Sequence, residues 1–466
     1  MRVFIVLLIL FSLKTAALEV SNENGVLKIL NIPHVLQKPD FCGEACAEMV
    51  FTTTGHKLTQ DDFFNASKLD PVKGRGCYAA ELFAGMKALG IDPGTGWFQI
   101  PANSDKGLQR LWDSIVKKLR VGIPVIICSR YSDKPYSSEH FRLIVGYDSN
   151  TDEVLFHEPA EKNAAYRRMK LSYLMKIWPL KYRRNKWTVI VFNFDVNKKP
   201  EIKKVDGFSN ADYAQHILKL KEKLPQNFNI VIQPPFVVVG NHDLKTVRQL
   251  SDSTVKWSVD KLKKQFFKKD PESILDIWLF KDKQTYEFYN KKLFGSAPGT
   301  PYGYYSPAHK SLVMNISTGG GTLVHEIVHP FMESNFADCP SWFNEGLASL
   351  YEQSTDVKGR IVGLTNWRLK GLKEEISSKS LPTFKELLST TSHQFYNSRR
   401  GDNYAQARYL CYYLQEKDLL QKFYKEFTAN VKYDPTGYET LLEVLEVKDS
   451  AAFEAVWKKW VMNLKF

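Results

Sequence analysis

The chain has 466 residues, 44% of them apolar and 25% charged, with a net charge of +13. That balance excludes disordered, collagen-like and membrane-dominated classes, and the length calls for at least two domains rather than one core. The basic residues are spread out, with only small groups such as Lys181, Arg183, Arg184 and Lys186, so no nucleic-acid partner is expected.

At the amino terminus Arg2 precedes an apolar run over 3–13, followed by Lys14 and the small residues Ala16 and Ala17. This is the pattern of a secretory signal peptide over 1–17, and the run is too short to cross a bilayer. The expected location is secreted or periplasmic, with no transmembrane span in the mature chain. Removing Arg2 and Lys14, and no acid, leaves +11. Six cysteines without a C-x-x-C pair argue against a structural zinc knuckle and are too few for a disulfide scaffold.

Residues 25–197 read as one α+β domain. Helical patterns around Cys46, Met49 and Val50 and over 79–89 come first. Strand-like runs follow at 124–128, 141–147, 154–157 and 188–194. The stretch Gln37-Lys-Pro-Asp-Phe-Cys42-Gly-Glu-Ala-Cys46 puts a cysteine at a helix start, where amides and the helix dipole favour thiolate. Cys46, one turn deeper, is the competing thiol, expected as a buried side chain or disulfide partner. His140 opens a strand, and Glu158 ends the next one. His157 falls on the opposite face by alternation and is expected to be structural.

These residues resemble the papain-like cysteine peptidases that cleave double-glycine leaders from bacteriocins. The resemblance spans about 30–195 and implies Gln37 for the oxyanion, Cys42 as nucleophile, His140 as base and Glu158 as its orienting group. Glu158 stands where the family has aspartate or asparagine, and Phe41 replaces an acidic or amide residue before the cysteine.

Residues 198–230, Lys-rich and partly helical, read as a linker or docking helix. A second domain is expected over 231–466. It has strands at 236–240 and 275–280, a helix around 250–267, a hairpin at 302–305 and 312–316, and helices from Gly319 onward. Residues 325–329 read His-Glu-Ile-Val-His. Positions i and i+4 share a helix face, so His325 and His329 can converge on one metal ion with Glu326 beside it as general base. Sixteen residues beyond His329, Pro340-Ser-Trp-Phe-Asn-Glu345-Gly supplies a third ligand on a proline-started helix.

This constellation resembles the gluzincin metallopeptidases over about 231–466. The resemblance implies Zn2+ held by His325, His329 and Glu345, with Glu326 as base. Asn403-Tyr404-Ala-Gln-Ala-Arg looks like the helix that supplies an oxyanion-binding tyrosine, which makes Tyr404 either that residue or a core side chain. Pro330 is expected to end or kink the helix directly after His329. Ser349 stands where thermolysin-like relatives carry an aspartate supporting a ligand histidine.

The fold expectation is α+β throughout, a papain-like domain followed by a thermolysin/gluzincin-like domain whose carboxy-terminal part is mostly helical. The functional expectation is a zinc metallopeptidase acting on peptide or protein substrates, with a cysteine peptidase-like domain that cleaves or binds peptides. The alternative is a cell-envelope binding protein holding peptide or glycan in both folds without turnover.

Overall fold

A computed structural model describes residues 18–53, 55, 57–196 and 206–466, so the proposed signal peptide lies outside the described residues. The chain divides into two compact units, residues 1–222 and 223–466.

The first unit is built on an eight-stranded sheet. Its main path runs Val20–Glu23, Val26–Ile29, Glu139–Asp148, Val125–Arg130, Lys186–Phe192, Gly96–Pro101, and every pairing is antiparallel. Glu153–His157 also pairs with Glu139–Asp148 and carries Arg167–Lys170 beyond it. The first five residues of Val125–Arg130 are buried on both faces, which explains its unbroken apolar run at the sheet centre. The helix Asp105–Arg120 buries Leu108, Trp112, Ile115 and Leu119, one stripe at helical spacing, and Ser104 caps it by accepting from the Gly107 amide. The helix Cys42–Thr53 is mostly apolar and sits in the core with Phe41, Phe63, Phe64 and Leu82.

Within 198–230, the helix Asn210–Lys223 packs on this first unit. Ala211 and Ala214 are buried in its core, and the Ala211 amide donates to Asn65 Oδ1 at 2.9 Å. Residues 229–233 already form a strand of the second sheet.

The second unit carries a five-stranded mixed sheet in the order Asn229–Gln233, Phe236–Gly240, Leu275–Phe280, Ser311–Asn315, Gly303–Ser306. The three inner strands are parallel and fully buried, hence their continuous apolar sequences. The helical run expected around 250–267 starts earlier, at Leu244, and passes through a π-type segment, Ser251–Lys256, before Trp257–Gln265. Helices dominate after Gly321, as expected, with the short hairpin Ser354–Val357/Arg360–Gly363 among them. Its strands are short and mostly exposed, so they lack an apolar periodicity for the sequence to display.

The helices Ser341–Tyr351 and Arg400–Glu416 pack closely at Gly346. A Cβ there would sit 3.0 Å from both the Ala407 carbonyl oxygen and Cys411 Sγ. A glycine after Glu345 is what lets the second helix approach the one that carries the glutamate.

Candidate functional sites

His325 and His329 lie on the helix Gly321–Asn335, and Glu345 lies on Ser341–Tyr351. One ligand atom from each lies within 4.8 Å of the others, a group that can hold a metal ion. Glu345 Oε2 is 3.1 Å from His325 Nε2 and 3.9 Å from His329 Nε2, yet this buried oxygen has no aligned hydrogen bond. Three corners of a tetrahedron with bonds of about 2.0–2.2 Å stand about 3.4 Å apart, so the donor set fits a tetrahedral ion such as zinc.

Each ligand is oriented from behind. His329 Nδ1 donates to Asn344 Oδ1 at 2.9 Å, which leaves Nε2 with its lone pair toward the site. His325 Nδ1 is at ion-pair distance, 3.3 Å, from Glu352 Oε1, without hydrogen-bond alignment. Arg368 donates to both Glu352 oxygens at 3.0 and 3.3 Å. The Tyr396 hydroxyl donates to Glu345 Oε1 at 2.8 Å. Glu352 thus lies behind His325, a position that Ser349 does not fill. It lies seven residues after Glu345, two helical turns on and on the same face, a spacing the sequence displayed. Asn344 was in plain view beside Glu345. Tyr396 and Arg368 carry no local signal, because only tertiary packing brings them here.

The electrostatics follow from three carboxylates, Glu345 buried and Glu326 and Glu352 partly buried, around two imidazoles. Burial works against a charged His325, but Glu345 and Glu352 outweigh it and raise its pKa well above the ordinary value. Burial also works to raise the two partner carboxyls. For Glu345 the two histidines outweigh it, and for Glu352 His325 and Arg368 do, bringing both to about 2. Glu326 is different. Burial raises it above the ordinary carboxylate range, although the Tyr305 amide donates to its Oε2 at 2.9 Å. A buried carboxylate of raised pKa next to a metal-binding triad is well placed to accept a proton.

Tyr404 lies on Arg400–Glu416, with its ring 6.4 Å from that of Tyr396. Burial raises its phenol, and the charge of Glu345 adds to this. The hydrogen bond seen to the glutamate ligand comes from Tyr396. The helix does not end at Pro330, one of the two outcomes expected there, but continues through it to Asn335. Phe331, immediately after it, stacks on Phe267, and Asn335 Nδ2 donates to the Phe331 and Lys269 carbonyls. Core packing and this cap hold the last turn despite the missing amide.

In the first unit Cys42 is the first residue of its helix. The strand Glu139–Asp148 presents His140 and Arg142 on one face, two residues apart. Leu143 pairs with His157, so Glu158 emerges opposite Arg142 and diagonal to His140. Its longer side chain reaches across that diagonal. Oε1 makes a short hydrogen bond with His140 Nε2, and Oε2 accepts from Arg142 Nε at 2.9 Å. Arg142 is held further by Ser129 Oγ and the Tyr131 carbonyl, both at 2.9 Å. Burial works to raise the Glu158 carboxyl, but His140 and Arg142 outweigh it and hold it below its usual range. Arg142 was not anticipated, although its alternation with His140 gave the signal.

The His140 bond through Nε2 leaves Nδ1 as the nitrogen that can serve a thiol. Burial nonetheless opposes the expected thiolate. Burial pushes the Cys42 thiol up to about 12, and the charges of Glu44 and Asp40 add to it, against the partial help of the Phe141 and Gly43 amides. Cys46 is fully buried and raised well above the ordinary value, chiefly by burial. Gln37 precedes the helix, its amide donating to the Pro159 carbonyl at 2.9 Å, and its buried Oε1 has no hydrogen-bond partner. His157 is wholly buried with its ring 4.7 Å from Tyr166, and burial lowers it to about 4.

Cys42 opens a helix, His140 opens a strand of the central sheet, and Glu158 follows the strand beside it, an arrangement of a peptidase-related kind. In agreement, residues 29–185 match the Peptidase_C39 like family. Residues 320–434, which contain His325, Glu326, His329, Glu345 and Tyr404, match a family described as protein of unknown function (DUF1570). No curated protein matches the chain.

Proposed function

We propose that the protein is an exported hydrolase, a zinc metallopeptidase of gluzincin type with a second, cysteine peptidase-like domain. The observation that carries this reading is the buried triad of His325, His329 and Glu345, with Glu326 one residue from the first ligand. Zinc held there, when bound, supplies a Lewis acid that activates water and polarises a peptide carbonyl. Glu326 accepts the proton of the attacking water and passes it to the leaving amine. Asn344 and Glu352 keep both imidazole Nε2 atoms facing inward. Tyr396 fixes the glutamate ligand, and Tyr404 stands beside it as the candidate donor to a developing oxyanion.

Two measurements test the assignment. The purified protein is expected to carry about one zinc per chain, the stoichiometry of a three-ligand site with an open fourth position. In a broad peptide-library digest, Glu326→Gln is expected to keep that zinc and to lose about a hundredfold or more of the chelator-sensitive cleavage. Cleavage untouched by chelator and by Glu326→Gln, but stopped by a thiol blocker, removes the zinc reading and transfers the activity to Cys42. One observation favours a second reading for the first domain. A thiol held near 12 fits a module that binds peptide without cleaving it, which Cys42→Ser leaving peptide binding and total turnover unchanged supports.

A further inference from the structure

The wall of the metal site formed by Tyr396 and Tyr404 carries two positive groups, Arg368, which already holds Glu352, and Arg400, which the catalytic reading does not use. The Tyr404 ring has two guanidinium groups over it, Arg368 at 5.3 Å and Arg400 at 6.0 Å from the centroid. Arg368 is tied to the metal ligands through Glu352, but its buried Nε has no hydrogen-bond partner. Arg400 is exposed one helical turn before Tyr404, and its charge acts on both phenols that border Glu345. Its neighbour Arg399 is committed to Glu375 and Asp402, whereas Arg400 makes no ion pair among the described residues. Trp367, 65% exposed, lies under the Arg368 guanidinium at 4.3 Å, which adds a flat apolar surface to the same wall.

The geometry points to an anion-accepting subsite made by Arg400 and Arg368 around Tyr404, which selects peptides presenting a carboxylate next to the bond being cut. An isolated exposed arginine gains little from the protein itself, and its charge is available to a ligand. Guanidinium groups recognise carboxylates through charge-assisted hydrogen bonds. The carboxylate can come from an aspartate or glutamate side chain or from the peptide's own carboxy terminus. This inference rests on the peptidase reading of the site.

The test uses the full-length, zinc-loaded protein and three peptide sets on one core sequence. The first has neutral side chains and an amidated end. The second places Asp or Glu on either side of the scissile bond, also amidated. The third has neutral side chains and a free carboxy terminus. kcat/KM is measured on the wild type, and binding by fluorescence anisotropy on Glu326→Gln. At least one carboxylate-bearing set is expected to exceed the neutral set by about fivefold to tenfold in both readouts, the scale of one charge-assisted hydrogen bond at a partly exposed site. Which set gains identifies the source of the carboxylate. Arg400→Glu is expected to abolish that advantage, and Arg400→Lys to retain part of it. Equal cleavage of all three sets overturns the subsite and leaves the peptidase reading standing. Carboxylate-dependent binding without turnover supports the subsite and removes the peptidase reading. Neither binding nor cleavage of any set overturns both.

Discussion

Replacing Glu352 by Ala tests how the site is held together. The Glu352 carboxylate is 3.3 Å from His325 Nδ1 and is itself clamped by Arg368 at 3.0 and 3.3 Å and Asn366 at 3.5 Å. Without it, the His325 ring loses the group behind it and the bias that keeps Nε2 turned toward Glu345. Removal of such an orienting partner typically costs ten- to a hundredfold in metal affinity, or about 1.4–2.7 kcal/mol. Arg368, whose side chain is only 13% exposed, would also be left without its carboxylate. Stability of the metal-free protein must therefore be followed separately, by thermal denaturation. Glu352→Gln keeps an acceptor oxygen for Arg368 and most of the volume, so its loss should fall at the low end of that range. Zinc affinity is measured by competition with a chromophoric chelator. A dissociation constant for Glu352→Ala within twofold of wild type refutes the orienting role.

Three further outcomes are expected. Gly346→Ala forces a methyl to 3.0 Å from the Ala407 carbonyl oxygen and Cys411 Sγ, so it should destabilise by about 1–3 kcal/mol and lower Tm by several degrees; an unchanged Tm would mean that the two helices part freely. In the metal-free protein Glu345 and Glu352 raise His325 against burial, which favours the protonated ring, so zinc binding should release a proton and strengthen as pH rises. Titration calorimetry in buffers of different ionisation enthalpy should reveal that proton, and identical heats would contradict it. In the first domain, a Cys42 thiol raised to about 12 should react slowly with iodoacetamide at pH 7 and about tenfold faster for each pH unit gained below that value. Rapid labelling at pH 7 that His140→Ala slows would show a thiolate–imidazolium pair instead.

What the sequence displayed was local. His325, Glu326 and His329 share one helix, and their convergence is a matter of 3.6-residue periodicity. The inner strands Phe236–Gly240 and Leu275–Phe280 were visible because both faces are buried and the apolar run is unbroken. Short or half-exposed strands such as Val20–Glu23, Arg167–Lys170 and Ser354–Val357 have no such run, and their pairing is decided by partners distant in the chain. The groups that finish the metal site follow the same division. Asn344 and Glu352 sit at readable offsets from Glu345, whereas Tyr396 arrives on a separate helix, 51 residues later, and Arg368 on another.

At the cysteine site the helix-start amides are opposed by burial. The Gly43 amide at the helix start and the Phe141 amide of the neighbouring strand both lower the Cys42 pKa. The opposing cost comes from burial, to which Asp40 and the fully buried Glu44 add negative charge. Glu44 occupies the first turn of the same helix, where its side chain accepts from the Cys77 amide at 2.7 Å. A carboxylate in that position is favourable for the helix and unfavourable for a neighbouring thiolate. Glu158 extends the same logic, because its charge is shared between His140 and Arg142 and so is only partly available to support an imidazolium. The His325, His329 and Glu345 group gathers three carboxylates, only one of which, Glu352, is paired with an arginine, around two imidazoles, so it could hold a cation. The cysteine site instead compensates its buried carboxylate internally, through His140 and Arg142, while burial disfavours the charged form of the nearby Cys42 thiol.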